Sequence, residues 1–238
     1  MYWADAIREY TTALKPVTTT PPLMQRMLGL IDLTSLNTDD TEAGIAAFCQ
    51  KAQLPFGHVA AICVYPQFVR LVSAQFAGTP VKVATVVNFP EGASPLDEVL
   101  IEISNALQDG AQEIDVVFPY LRYLAGERQY AHTFIAACKA ACGDQIALKV
   151  ILETGALMDP VLIADASLDA LTSGADFIKT RSAAWRPRAR GSVASVVSAG
   201  VLTAASGMSS KPVTAKSRPA AMPRAPRPSI NPSATASL

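Results

Sequence analysis

The segment Asp176-Phe177-Ile178-Lys179-Thr180 carries a lysine at the end of an apolar run that predicts a buried β-strand. Lysine is rarely buried without a partner or a use, because removing the ammonium group from water lowers its pKa. The neutral amine is a nucleophile, so Lys179 is a candidate for forming an imine with a carbonyl substrate. The alternative is that the side chain extends past the strand and reaches solvent at the rim of the sheet.

Short apolar strands recur about every 30 residues, each followed by a helical pattern, which is typical of successive βα units on a parallel sheet. The predicted strands are Leu28–Leu33, Val59–Tyr65, Val81–Val87, Glu113–Phe118, Ala147–Leu152 and Asp176–Thr180. The predicted helices are Tyr2–Leu14, Thr41–Gln50, Pro66–Gln75, Pro95–Gln108, Tyr130–Ala141 and Asp159–Thr172. The strands are continuously apolar rather than alternating, so we expect both faces of the sheet to be covered.

Two architectures fit six such units, an open doubly wound sheet and a closed barrel. A dinucleotide-binding open sheet carries GxGxxG after its first strand, and this sequence has no such motif. In TIM-type barrels, polar residues at the C-terminal ends of strands usually carry out the chemistry. The predicted strands carry such residues at Asp32, Cys63, Asn88, Asp115, Lys149 with Glu153, and Lys179. We therefore predict an α/β fold, a (β/α)8 TIM-type barrel of which about six βα units are recognisable.

Three charged residues near Lys179 are candidates for assisting it. Lys149 lies one strand earlier with apolar residues on both sides, and two ammonium groups facing one pocket lower each other's pKa. Asp115 lies among apolar residues and suits proton transfer to a substrate hydroxyl, with a structural salt bridge as the alternative. Glu153 either belongs to the same site or caps the helix that follows it.

The composition changes after residue 180. Residues 1–180 hold all 20 acidic residues and 11 basic ones, a formal charge of −9, whereas residues 181–238 hold nine basic residues and no acidic one. The second region also holds seven of the 17 prolines and few large apolar residues outside Val193–Leu202, which predicts disorder. We therefore predict a partial barrel domain at 1–180 and, at 181–238, a basic tail rich in Pro, Ala, Ser and Arg that is disordered or out of frame. The tail holds a single aromatic residue, Trp185, for stacking on bases, so no nucleic acid partner is expected.

The expected setting of the protein is the cytoplasm. No apolar run reaches the roughly 18 residues of a membrane span, and the N-terminus shows no signal-peptide pattern. Four cysteines form no CxxC pair and only two histidines are present, so no zinc site is expected. The sequence does not fix an oligomeric state and is compatible with a homodimer.

Six segments at the predicted strands form a pattern that is more specific than their apolarity. They are Leu30-Ile31-Asp32-Leu33-Thr34-Ser35-Leu36-Asn37, Ala61-Ile62-Cys63-Val64-Tyr65-Pro66, Val86-Val87-Asn88-Phe89-Pro90-Glu91-Gly92, Glu113-Ile114-Asp115-Val116-Val117-Phe118-Pro119, Leu148-Lys149-Val150-Ile151-Leu152-Glu153-Thr154-Gly155 and Gly174-Ala175-Asp176-Phe177-Ile178-Lys179-Thr180. In order and spacing, across about residues 25–180, they resemble the deoxyribose-phosphate aldolase family.

That resemblance implies a class I aldolase on a (β/α)8 barrel. The family cleaves 2-deoxy-D-ribose 5-phosphate to D-glyceraldehyde 3-phosphate and acetaldehyde through a Schiff base, without metal, in deoxyribonucleoside catabolism. By resemblance, Lys179 is the Schiff-base lysine, Asp115 is the acid–base aspartate and Lys149 lines the same pocket. The implied substrate-binding positions at the barrel mouth are Asp32, Thr34 and Cys63.

The resemblance stops after Thr180. In the family, Lys-Thr continues into Ser-Thr-Gly, a seventh strand brings a second catalytic lysine, and an eighth ends in a Gly-Ala-Ser-Ser phosphate site. Lys211-Pro212 is the only echo of these segments, without the strand before it or the glycines after it. The tail resembles a GC-rich gene translated out of frame, so we expect this product to fold poorly and to be impaired or inactive. The alternative is a non-catalytic, barrel-derived protein whose basic tail binds an acidic partner.

Overall fold

The computed structural model describes residues 3–15, 18–181 and 195–197. Its helices are α1 (Trp3–Ala13), α2 (Pro21–Leu28), α3 (Glu42–Cys49), α4 (Val69–Gln75), α5 (Leu96–Gln108), α6 (Tyr120–Leu124), α7 (Arg128–Cys142), α8 (Thr154–Leu157) and α9 (Pro160–Thr172). Its strands are β1 (Ile31–Thr34), β2 (Gln53–Leu54), β3 (Gly57–His58), β4 (Ala61–Val64), β5 (Lys82–Val87), β6 (Glu113–Val117), β7 (Ala147–Glu153), β8 (Phe177–Arg181) and β9 (Ser195–Val197). Among these residues, no helix is long and apolar enough to cross a membrane.

Six parallel strands form one curled sheet in the order β8-β7-β6-β5-β4-β1. Each strand lies beside the next parallel strand along the chain, whereas a doubly wound sheet reverses its order at a switch point. With helices between the strands, the sheet forms a partial TIM-type barrel, so the predicted fold class is confirmed. Strand β9 pairs antiparallel with β1, with Val197 opposite Ile31, and β2 and β3 form a separate antiparallel ribbon.

The larger hydrophobic core lies between the sheet and its covering helices. Ile114 and Leu148 point outward from β6 and β7 and belong to the same cluster as Phe134 and Ile135 of α7, and these four side chains are fully buried. Burying a side chain of this size stabilises a fold by about 1.5–3 kcal/mol. Alternate residues of the same strands face the opposite way, so this outer packing fixes which side chains point into the partial barrel.

The inner face of the sheet combines a small apolar cluster with charged residues. The apolar members are Ala61, Cys63, Ala84, Val86, Val117 and Ile151. Between them, the same face carries Asp115 and Lys149, which lie opposite each other in the register of β6 and β7. Small side chains on β4 and β5 leave room for the long charged chains of β7 and β8.

The start of β1 and the helix before it differ from the sequence predictions. The strand predicted from Leu28 begins at Ile31, because Leu28 instead ends helix α2. Helix α2 was not predicted, although Thr20 supplies a capping hydroxyl to the Leu23 amide and prolines occupy the first helical positions. Most of the predicted tail, residues 182–194 and 198–238, lies outside the described residues, so its predicted disorder stays a prediction.

Candidate active site

The charged residues of the inner face come from strands that are far apart in sequence. Asp32 lies on β1, Asp115 on β6, Lys149 on β7 and Lys179 on β8. The ammonium group of Lys179 lies 3.3 Å from the carboxylate of Asp32, although 147 positions separate them. Curling of the sheet brings β1 and β8 toward the same interior, so the fold assembles these side chains into one cluster.

Lys179 is buried and paired. Only 5% of the surface of Lys179 is accessible to solvent, which excludes the alternative that its side chain extends to solvent at the rim. Its Nζ donates to Oδ2 of Asp115, a residue with no exposed surface, and lies 3.3 Å from Oδ2 of Asp32. The nitrogen therefore lies directly beside a carboxylate that can take its proton.

Lys149 contacts the same aspartates from the other side. Its Nζ lies 2.7 Å from Oδ2 of Asp32, 2.5 Å from Oε2 of Glu113 and 3.3 Å from Oδ1 of Asp115. Asp115 thus presents one oxygen to each lysine. The prediction that Lys149 lies in the same pocket as Lys179 agrees with this geometry.

The two lysines are not held in their neutral form. Burial lowers the pKa of Lys179 and repulsion from Lys149 lowers it further, but attraction to Asp115 and Asp32 outweighs both, and the net pKa is raised. Burial likewise lowers the pKa of Lys149, yet three carboxylates raise it well above its ordinary value. The prediction of a lowered lysine pKa is therefore wrong, because it counted the second ammonium group and not the carboxylates around it.

Burial and the charges of the cluster also shift the pKa values of Asp32 and Cys63. Burial raises the pKa of Asp32, but the two ammonium groups outweigh burial and the net pKa is lowered. Burial, followed by repulsion from Asp115, raises the pKa of Cys63 to about 12, so its thiol is protonated at neutral pH. The Cys63 thiol donates to Oδ2 of Asp115 across 3.6 Å and thereby also contacts the lysine–aspartate pair.

Three other strand-end residues have local contacts. The Thr34 hydroxyl lies on the face of Asp32 and donates to the Asp32 carbonyl across 3.0 Å. Asn88 has a positive φ of 55° and bridges the Val117 carbonyl and the Ser94 amide, so it shapes the loop after β5. Glu153 is buried and precedes α8, but its side chain makes no capping hydrogen bond.

Glu113 is the charged residue that the sequence analysis did not select. It begins β6, two positions before Asp115, so it faces the same side of the sheet. The spacing of two residues between Glu113 and Asp115 on a predicted strand was a signal in the sequence that both face the same side. Burial raises the pKa of Glu113, while the Lys149 ammonium opposes this effect.

The fold and this cluster place two lysines and three carboxylates together on the inner face of a partial TIM-type barrel. The chain belongs to the DeoC/LacD family of aldolases, whose family model matches residues 26–211. The match extends beyond Thr180 and includes residues 181–211, which the sequence analysis assigned to the tail. Within the described residues, no group of three or more His, Cys, Asp or Glu side chains is arranged to hold a metal ion.

Solved structures agree with this family assignment. A protein from Coccidioides immitis assigned as a deoxyribose-phosphate aldolase is 28% identical with a TM-score of 0.64, and the match covers 79% of this chain and 74% of that one. One from Toxoplasma gondii, assigned likewise, is 29% identical with a TM-score of 0.61, over 70% and 63% of the two chains. The tetrameric deoxyribose phosphate aldolase of Aeropyrum pernix is 25% identical with a TM-score of 0.57, over 68% and 65%.

Proposed function

We propose that this chain carries the site of a Schiff-base aldolase acting on 2-deoxy-D-ribose 5-phosphate, with Lys179 as the nucleophile. The observation that carries the proposal is the buried Lys179 ammonium in direct contact with Asp115. A lysine that must attack a carbonyl needs a neighbouring group that accepts and returns protons. The names of the structural relatives supply the substrate class.

In this mechanism, Lys179 first transfers a proton to Asp115, and its free electron pair attacks the aldehyde carbon of the open-chain sugar. Protonation of the oxygen and loss of water give the imine. A carboxylate then takes the proton of the C3 hydroxyl, the C2–C3 bond breaks, and its electrons form the enamine while glyceraldehyde 3-phosphate leaves. Protonation at C2 and addition of water to the imine release acetaldehyde and restore Lys179.

Four neighbours are assigned supporting roles. Lys149 and Asp32 fix the charge around Asp115, and Asp32 also contacts Lys179. Thr34 and Cys63 offer a hydroxyl and a neutral thiol on the same inner face, where they suit contacts to substrate hydroxyl groups. The substrate is a small phosphorylated sugar, and no cofactor takes part in these steps.

We further propose that multiple-turnover activity of this chain is impaired. In TIM-type barrels the phosphate group usually binds at the loops after strands seven and eight, and the described parallel sheet contributes six strands. The sequence after Thr180 also lacks the family segment with the second lysine. Sequencing of the genomic locus tests the origin of the tail: a Ser-Thr-Gly codon run in a shifted frame after Thr180 supports a frameshift, and its absence contradicts one.

Borohydride trapping tests the nucleophile. The full 238-residue chain, incubated with acetaldehyde and sodium borohydride, is expected to gain a reduced two-carbon adduct at Lys179, located by peptide mass spectrometry. The control is Lys82→Met, which removes an exposed strand lysine and should leave the adduct unchanged. An adduct confined to Lys149 would contradict the assignment of Lys179.

A cleavage assay tests the impairment. Acetaldehyde release from 2-deoxy-D-ribose 5-phosphate should be negligible beside that of a complete-barrel relative, because a misplacement of about 1 Å can already cost about 100-fold in rate. Cleavage comparable to that of the relative, together with a cooperative melt, would show that the tail completes the enzyme.

A further inference from the structure

Glu113 is placed so that it acts on one lysine of the site only. Its Oε2 lies 2.5 Å from Nζ of Lys149, and within the described residues it pairs with no other cation. Asp32 and Asp115, in contrast, each contact both lysines. The side chain of Glu113 is 18% exposed, and its position at the start of β6 puts it on the side of Asp115 that faces Lys149.

The inner cluster contains more carboxylates than ammonium groups. Asp32, Glu113 and Asp115 are three carboxylates around two ammonium groups, so the cluster has one negative charge in excess. Cys63 is a neutral thiol near neutral pH, and Glu153 adds a further carboxyl group to the same face of β7. A negative excess stabilises the ammonium form of every lysine within a few ångströms.

We propose that Glu113 is a positioning residue of this site, which holds the Lys149 ammonium on the β6 side of Asp115 and supplies the excess negative charge that keeps Lys179 protonated before substrate arrives. The inference rests on the proposed function, since it concerns the lysine that forms the imine. Without Glu113, Lys149 would remain cationic between two aspartates and neutralise more of their charge. The share of Lys179 present as free amine would then rise.

The size of the effect follows from the strand geometry. Glu113 and Asp115 lie two residues apart, or about 7 Å along the strand, and Asp115 contacts Lys179. At an effective dielectric constant of about 20, one charge at roughly this distance changes an ionisation equilibrium by about tenfold or more. Relaxation of Lys149 and penetration of water reduce this effect, so a change of about three- to tenfold is expected.

The experiment compares four forms of the full chain: wild type, Glu113→Gln, Lys149→Met and the double variant. The first-order rate of acetaldehyde trapping by borohydride is measured across neutral and alkaline pH, corrected for the folded fraction from circular dichroism. In parallel, Nζ of ¹⁵N-labelled lysine is titrated by NMR, with the Lys179 signal assigned by its loss in Lys179→Met. Glu98→Gln on α5, an exposed change of the same type, is the matched control.

Glu113→Gln is expected to trap about three- to tenfold faster near pH 7, and Lys149→Met slower by a similar factor. The double variant restores the charge balance and should return to within about threefold of wild type. A Glu113→Gln chain that traps no faster, or whose Lys179 titration does not move to lower pH, overturns the positioning role. Absence of any adduct while that titration still moves would overturn the imine function and leave the charge effect standing.

Discussion

Replacing Lys149 with methionine tests the charge balance through stability rather than chemistry. The substitution keeps most of the side-chain volume and removes the ammonium group that contacts Asp32, Glu113 and Asp115. The cluster then holds three carboxylates and one ammonium group. Breaking a buried ion pair from one side usually costs about 3–5 kcal/mol, because the other charge is left without its partner.

Protonation sets an upper limit on this loss. Glu113 already has a raised pKa, and without Lys149 it can bind a proton instead of remaining charged. An ordinary glutamate has a pKa of about 4.3, so protonating it at pH 7 costs no more than about 4 kcal/mol. We therefore expect Lys149→Met to lower the free energy of unfolding by about 3–4 kcal/mol at pH 7, or roughly 10 °C in melting temperature.

The sign of the pH dependence follows from linkage. In the variant, Glu113 has a folded pKa above its unfolded value, so the folded state binds more protons and loses stability as pH rises from about 4.3 through the raised pKa. The melting-temperature gap between wild type and Lys149→Met should be small near pH 4.5 and wide near pH 8. Melts are followed by circular dichroism in a fixed concentration of sucrose, which favours the compact state.

Lys82→Met, at an exposed strand position, is the control and should show no widening gap. A gap for Lys149→Met that is equally large at both pH values would refute the reasoning, because it would mean that lost packing and not an unpaired carboxylate is responsible.

Two further predictions concern aspartates. In a chain in which the proposed frameshift after Thr180 is reversed, Asp115→Asn should lower turnover by about 10²–10⁴-fold with a smaller effect on melting temperature; unchanged turnover with a large drop in melting temperature would make Asp115 a structural partner. Asp169 is buried and accepts hydrogen bonds from Tyr123 Oη across 2.7 Å and from Arg128 across 2.6 Å. Burial raises the pKa of Asp169, but these partners outweigh burial, so the net pKa is lowered. Asp169→Asn should therefore cost about 1–3 kcal/mol at pH 7, with the loss vanishing as pH falls through the lowered pKa, whereas the more exposed Asp165→Asn should change little at any pH.

The sequence was sufficient for the strands of the sheet and for most of the inner cluster. Continuous apolar runs marked β4 to β8, and a charged residue inside such a run, as at Asp115 or Lys149, indicates either a shared site or a buried ion pair. The start of β1 was misplaced because Leu28 and Leu30 extend the apolar pattern across the end of α2. An apolar run of this length does not distinguish the last turn of a helix from the first residues of a strand.

The protonation state of Lys179 could not be predicted in the same way, because its sign depends on a count of charges from four strands. The sequence identified the repulsion between Lys149 and Lys179, and this repulsion does lower the pKa. Its effect is reversed by Asp32, 147 positions away, and by Asp115, which contacts both ammonium groups. This balance of charges gives an electrostatic reason for the proposed impairment. The family resemblance implies a second catalytic lysine beyond Thr180. Its ammonium group would be the third in the cluster and would neutralise the one excess negative charge of the three carboxylates. If this chain lacks that lysine, as we propose, Lys179 stays protonated, and the proposed imine should form slowly even where every described side chain is in place.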